Sequence, residues 1–492
     1  MHDPRAGVSR RHVLASAGGA FALPALSGIA TAQQSNDYGP LGRVKVDGTK
    51  EVVVEGDTAY LATTSGFATV DVSDPASPAL LADRRDLLAD REDGPLRMIY
   101  DVKVSGENLL VVGPANGVQD AFRGAVLYDV SDPADPTERT VYETDFAIHN
   151  AYLDGTTAYL TGNDGRGNPL VAVDVAAGEE LGRWSPADED EAWLDVYPGF
   201  RSLHDVYVQD GVAYLPYWDA GTWMVDVSDP TDISRIAKVR GPSPEELASR
   251  NRLNVLEPPG NDHYVTVNED ASLLAIGMES WDYRDGDGSG GPSGIDLYDV
   301  SDPENAERLS TITPPPAEND NRQGGVWTTS HNLDVAEDRV YASWYQGGVQ
   351  VFDISDPSAP ALLRGWADRD AASFWGAASV TPGEFFVASS TDYRGKTAAL
   401  FTFPDAPADE RSTRTQTSTP TDTPAPNGTT GNDTNGSNGS GTTSAPTTNG
   451  TATTAPAGNT TEDTSSSDGP GFGVAAGLAG LGLGAWRALR RE

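Results

Sequence analysis

Four histidines, His149, His204, His263 and His331, occupy one recurring place in a repeated strand pattern, and the other two, His2 and His12, precede the repeats. Imidazole titrates near neutral pH and is the commonest transition-metal ligand, so a column of it nominates a site. Counting back nine residues from the first residue of each repeat's second strand gives Lys50 (from Ala59), Tyr100 (from Leu109), His149 (from Ala158), His204 (from Ala213) and His331 (from Val340). His263 and Trp375 take the same place if the intervening turn is one residue longer. The next column reads Glu51, Asp101, Asn150, Asp205, Tyr264, Asn332 and Gly376.

Three chemistries fit this column. Repeat duplication can copy one useful strand-starting residue whose imidazole bonds the backbone of the next repeat. Neutral imidazoles can instead offer hydrogen bonds to an organic ligand or a partner. The third is a zinc or copper ion held by two to four of His149, His204, His263 and His331; imidazole suits both ions, and donor nitrogens must lie about 2 Å from the metal. The chain has no cysteine, which removes thiolate chemistry and disulfides. No nucleophile motif, Walker loop or dinucleotide fingerprint stands out. Asp285, Asp287 and Ser289 with Asp296 have calcium-loop spacing, but Asp296 stands where a bidentate Glu is needed, so the segment reads as a flexible acidic insertion.

The elements that must position the column are short strands. Val70–Pro75 (VDVSDP) returns as Tyr128–Pro133, Val225–Pro230, Tyr298–Pro303 and Phe352–Pro357, with degenerate copies at Val173–Gly178 and Phe401–Ala406. Each copy follows a Gly-containing turn and an Ala-Tyr-Leu-like strand; glycine supplies positive φ there, and Asp-Pro closes the next turn. Four strands per copy, repeated seven times about 45 to 70 residues apart, predict an all-β, seven-bladed β-propeller of four-stranded antiparallel blades over 37–405. The seventh copy lacks an outer strand, and Pro40–Val46 (PLGRVKV) resembles the outer strand of the sixth, Pro360–Trp366 (PALLRGW). The N-terminal strand is therefore expected to close the last blade, with Gly42–Val46 against Leu400–Phe403.

In such a ring the column starts the innermost strands and circles one mouth of the axial channel. The long segments Asp83–Arg97, Trp184–Leu203, Arg240–Asp262, Glu279–Gly294 and Pro314–Ser330 emerge on that face. They and their neighbours carry Trp193, Tyr217, Trp218, Trp281, Tyr283, Trp327, Trp344, Tyr345 and Tyr393, which predicts an aromatic rim above the imidazoles. The tight turns and the Ser-Asp-Pro turns lie opposite. The candidate ligand-binding set is Lys50, Tyr100, His149, His204, His263, His331, Trp375, Asp205, Trp218, Trp281 and Trp344.

Asp and Glu outnumber Lys and Arg by 73 to 34, and five of the 34 are Lys. So acidic a surface repels nucleic acid and anionic headgroups, and it resembles proteins of extreme halophiles, in which salt screens the self-repulsion. Residues 1–32, with Arg10 and Arg11 before an apolar stretch, resemble a twin-arginine export signal cleaved after Ala32. Residues 408–468 are Thr, Ser, Asn, Gly and Pro with almost nothing apolar and read as a disordered stalk. Six glycosylation sequons begin there at Asn427, Asn432, Asn435, Asn438, Asn449 and Asn459. Over 470–492, Pro470-Gly471-Phe472, a short apolar helix to Trp486 and a basic tail resemble an archaeal sorting signal cut by an archaeosortase; a retained membrane helix is the alternative.

The strings AYLATTSGFATVDVSDPASP and YASWYQGGVQVFDISDPSAP resemble the LVIVD repeat, and His331-Asn332-Leu333 with His149-Asn150-Ala151 resembles the related choice-of-anchor B surface proteins. The resemblance implies a propeller at the cell surface and no established reaction. The expectation is thus an exported, surface-anchored, monomeric propeller that binds a small ligand or another surface component through its histidine-ringed face. The alternative is a metal-dependent enzyme with copper or zinc at the axial histidines.

Overall fold

A computed structural model describes residues 38–283 and 290–405. The export signal, the acidic loop at 285–289, the stalk with its sequons and the sorting signal lie outside the described residues. The described residues form seven four-stranded antiparallel sheets, each in the order of a propeller blade. The first blade contains β2 (Val52–Glu55), β3 (Thr58–Ala62), β4 (Gly66–Asp71) and β5 (Ala79–Arg85). The innermost strands of the later blades are Asp101–Ser105, Ala147–Asp154, Tyr207–Gln209, Asp262–Val267, Leu333–Ala336 and Phe374–Thr381. The last of these packs against β2, which completes the circle.

Local chemistry explains why each copy folds alike. The turns after the innermost strands hold Gly56, Gly106 and Gly155 at φ of 56°, 57° and 59°, where other residues are strained. Both aspartates of the strand-ending motif are used. Asp71 Oδ1 accepts from the Ser73 amide (2.9 Å) and hydroxyl (2.6 Å), and Asp74 Oδ1 accepts from the Ala76 amide at 3.1 Å. The same pair of turns recurs at Asp226 and Asp229. A bulge between the third and fourth strands also recurs, at Thr69/Val70, Leu127/Tyr128, Met224/Val225, Leu297/Tyr298 and Val351/Phe352. Such bulges increase local twist and keep neighbouring blades nested.

The core lies between blades. One cluster joins Tyr60 and Phe67 of the first blade to Val102, Leu109 and Val126 of the second, and another joins Leu273 and Leu297 to Leu333 and Val340 across the fifth and sixth. A hydroxyl also reaches from one blade to the proline carbonyl of the next: Thr69 Oγ1 to Pro133 O and Ser310 Oγ to Pro357 O, each 2.6 Å.

The seam uses the same contact. β1 (Gly42–Lys45) pairs with Ala399–Pro404 in the register Gly42 to Thr402 through Lys45 to Ala399, and Thr402 Oγ1 donates to Pro75 O at 2.5 Å. A Cβ on Gly42 would lie 2.7 Å from Pro75 O, so the close approach of the first blade's turn requires glycine there. Beyond the pairing, Asp405 accepts from the Tyr341 hydroxyl (2.6 Å), the Gly383 amide (2.7 Å) and the buried Arg339 guanidinium.

Removing residues 37–47 should strip the last blade of its outer strand and of the bond from the Gly42 amide to Thr402 Oγ1. The expected result is a melting midpoint lower by about 5 °C or more and a less cooperative transition, since about 1 kcal/mol moves a large domain by about 2–4 °C. A circular dichroism melt unchanged by the deletion contradicts closure at this seam.

Candidate metal centre on the propeller axis

The innermost strands bring the histidine column to the axis as a closed ring of side chains. Successive ring centroids are 6.3 Å apart for Tyr100 and His149, 4.3 Å for His149 and His204, 4.0 Å for His204 and His263, 4.4 Å for His263 and His331, and 4.4 Å for His331 and Trp375. Lys50 closes the circle, with Nζ 4.9 Å from the Trp375 ring and 5.5 Å from that of Tyr100. All seven are buried, Lys50 being the most exposed at 7%.

Burial decides the charge of these groups. Desolvation lowers His149 to about 4 and His331 to about 3, and it holds His204 and His263 well below the usual imidazole range, with neighbouring imidazoles adding to the effect. Four neutral imidazoles are four potential ligands, because a protonated ring has no lone pair to give.

Three of the four meet backbone, His204 through the His263 peptide. His149 Nδ1 lies 3.0 Å from Ala115 O, and His331 Nδ1 lies 2.5 Å from Trp375 O. His204 and His263 converge with Glu279, one donor atom from each of the three residues lying within 4.8 Å of the other two, and His331 Nε2 approaches the same carboxyl at 3.8 Å. His263 Nε2 is 3.6 Å from Glu279 Oε2, close to the spacing of about 3.4 Å between two donors on one tetrahedral ion with bonds near 2.1 Å. Glu279 is 1% exposed and accepts a hydrogen bond from the Tyr345 hydroxyl. Its carboxyl is pushed up to about 8 by burial, against the pull of Tyr345 and Arg322. Two histidines and one carboxylate form a fitting donor set for zinc, and the imidazoles also suit copper.

Sequence reasoning missed Glu279. It directly follows the strand Leu273–Met278 and opens a segment that repeats in no other blade, so no column marks it. Its one visible signal is an acid placed between an apolar strand and Trp281, on the face where the ring lies.

The second column forms a tier beside the ring. Asp101 Oδ1 meets Lys103 Nζ at 2.6 Å, Asn150 Nδ2 donates to Asp205 Oδ1 at 3.1 Å, and the Asn332 amide donates to Glu51. Gly376 leaves space there, since its Cβ would stand 3.7 Å from Asn332 Cβ. Burial raises Glu51 to about 8 and Asp205 to about 7, with Lys103 lowering both.

The aromatic residues differ from the expected open rim. Trp218, Trp281 and Trp344 are at most 1% exposed. Trp218 stacks on His204 at 5.2 Å and donates from Nε1 to Val255 O. Trp281 packs on Trp327 at 5.2 Å, and Trp344 belongs to the core between the fifth and sixth blades, apart from the ring. The physical reason is area: an indole in a loop over apolar strands gains about 25 cal/mol for each Å² it buries, and the long loops fold down to bury it. An open recess of about 520 Å³ does exist on this face, away from the axis, lined by Asp219, Arg240, Leu247, Arg250 and Pro259.

The chain carries LVIVD repeats at residues 48–83, 201–239 and 329–366, and these segments contain Lys50, His204 and His331 of the ring. No curated protein matches the chain. Among solved structures, the β-propeller domain of Myceliophteria thermophila Cps50 (Swd1) is 10% identical, with 74% of this chain and 98% of that one covered and a TM-score of 0.48. The Neurospora crassa Pan2 WD40 domain is also 10% identical, covering 75% and 95%, at a TM-score of 0.46. Neither likeness carries an argument about this chain; the seven-bladed architecture rests on its own strand pairing.

The shifted groups predict a pH dependence. Glu51, Asp205 and Glu279 are raised from 4.5, 3.8 and 4.5 to about 8, 7 and 8, so the folded chain holds more protons than the unfolded one until the folded values are passed. Stability from these acids is present at low pH and is lost as pH rises through them. The buried histidines act oppositely, but only below their unfolded value of 6.5. The melting midpoint of metal-free protein should therefore fall between pH 6.5 and 8. A midpoint that is flat or rising over that interval contradicts buried, protonated carboxyls.

Proposed function

We propose that this chain is a metal-binding propeller, with one zinc or copper ion held on the axis by His204, His263 and Glu279. The observation that carries the reading is the convergence of three buried, chemically matched donors within 4.8 Å. Tyr345 and Arg322 act on the carboxylate from behind, the kind of support that fixes ligand orientation in metal sites. The backbone carbonyls at His149 and His331 fix those rings at Nδ1, and both lie outside the three-donor group. The reading is one of binding, with Trp218 and Tyr345, both 0% exposed, covering the imidazoles on the loop face.

The setting proposed for this centre is the cell surface. The twin-arginine-like leader, the sequon-rich stalk and the Pro470-Gly471-Phe472 signal support export and anchoring at the membrane, and the LVIVD repeats support a scaffold or binding role. A second reading, recognition of a surface component or small ligand, is favoured by the 520 Å³ recess between the Arg240–Asp262 loop and the turn at Asp219. It does not compete for the axial residues.

Elemental analysis and metal titration of the full chain test the proposal. Wild type should bind one zinc or copper ion, and His204→Ala, His263→Ala and Glu279→Gln should each abolish it. Tyr345→Phe should weaken binding by about 10- to 100-fold, as loss of an outer hydrogen bond does. His149→Gln should leave the stoichiometry unchanged. Binding that survives all three ligand substitutions rules this centre out.

A further inference from the structure

The axial site has a closed side and a polar side. On the loop face Trp218 lies over His204 and Tyr345 over His331, the latter with centroids 4.6 Å apart. Trp281 and Trp327, each 1% exposed, back them. On the other side of the ring come Glu51, Asp101 and Asp205, at 3%, 0% and 1% exposure, with Lys103 as their nearest cation. Lys103 is committed to Asp101 at 2.6 Å, which leaves two buried carboxyls without a matching positive charge. Asn332 lies against Glu51 through its amide nitrogen, while its Oδ1, on a side chain within a residue 3% exposed, has no hydrogen-bond partner among the described residues.

Farther along the innermost strands, Tyr152, Tyr207, Tyr264 and Asp334 are partly exposed, so the axis meets water from the face of the Ser-Asp-Pro turns. They come from four successive blades, with the Tyr152 and Tyr207 rings 5.4 Å apart. Tyr264 is held protonated first by burial and then by the charges of Glu51, Asp205, Asp101 and Asp334, which come from four other blades. Ser379 N donates to Asp334 Oδ2 at 2.9 Å and fixes that carboxylate at the channel's wet end.

We infer that the ion reaches its site from the turn face, passing Asp334 and pausing on an oxygen station made by Glu51 and the Asn332 Oδ1 before it transfers to the imidazoles. This rests on the metal reading above. Buried carboxyls that lack a matching cation gain a partner when a divalent ion displaces their protons, and an unpartnered carboxamide oxygen supplies a neutral ligand beside them. On the loop face the one carboxyl at the ring is the ligand Glu279 itself, buried beneath Tyr345. The strongly acidic molecule adds a long-range pull that raises cation encounter rates.

Stopped-flow uptake of Zn²⁺ by the chelator-stripped full chain, followed with a competing chromogenic indicator, separates route from site. Glu51→Gln and Asp334→Asn should each slow uptake by about tenfold while final occupancy stays at the wild-type value. Asp334→Asn keeps the oxygen that accepts from Ser379, so it carries the test if Glu51→Gln fails to fold. Wild-type uptake rates in both variants overturn the route, as does faster uptake in Trp218→Ala with the other two unchanged. Wild-type protein that takes up no zinc and no copper overturns the metal reading, and the route with it.

Discussion

The structure depends on one geometric constraint: seven repeats arranged around an axis project the same register position of every repeat onto one small circle. A residue that begins an innermost strand has no choice but to stand between two counterparts at about 4 to 6 Å, as in the ring from Lys50 through the four histidines to Trp375. Such a circle concentrates chemistry that no single blade holds. It also forces the groups out of water, and desolvation then sets their protonation: imidazoles neutral, carboxyls reluctant to ionise. The neutral imidazoles keep the lone pairs that a metal ion would use.

The same constraint makes the seam important. Strand pairing across the ends of the repeat region, with Thr402 reaching Pro75 as Thr69 reaches Pro133, holds the circle to seven members. A ring that opened there would let neighbouring blades splay, and the spacing between His204, His263 and Glu279 would widen beyond what bonds of about 2 Å can bridge. Fold closure and site geometry are in this sense one property.

Much of this was legible in the sequence because turns fix register. Gly56, Gly106 and Gly155 and the paired aspartates of each Ser-Asp-Pro turn set the strand lengths, so counting along the chain placed His149, His204, His263 and His331 together at one end of the innermost strands. Glu279 was not legible, since it stands in a segment without a counterpart and becomes a neighbour of His263 only through the path of that loop. The burial of Trp218, Trp281 and Trp344 was equally hidden. Sequence marks an aromatic in a long loop, but whether the loop stands up or folds down depends on contacts such as Trp218 Nε1 to Val255 O, between residues 37 positions apart.

The central claim is that the axial donors of this chain enclose a single ion through two imidazoles and one carboxylate. X-ray absorption at the zinc or copper K edge, on full-length protein loaded with one equivalent, reads those donors directly. The account predicts imidazole scattering from two rings and a first shell of nitrogen and oxygen at about 2.0–2.2 Å. A spectrum showing four imidazoles, or only oxygen ligands without ring scattering, would contradict it.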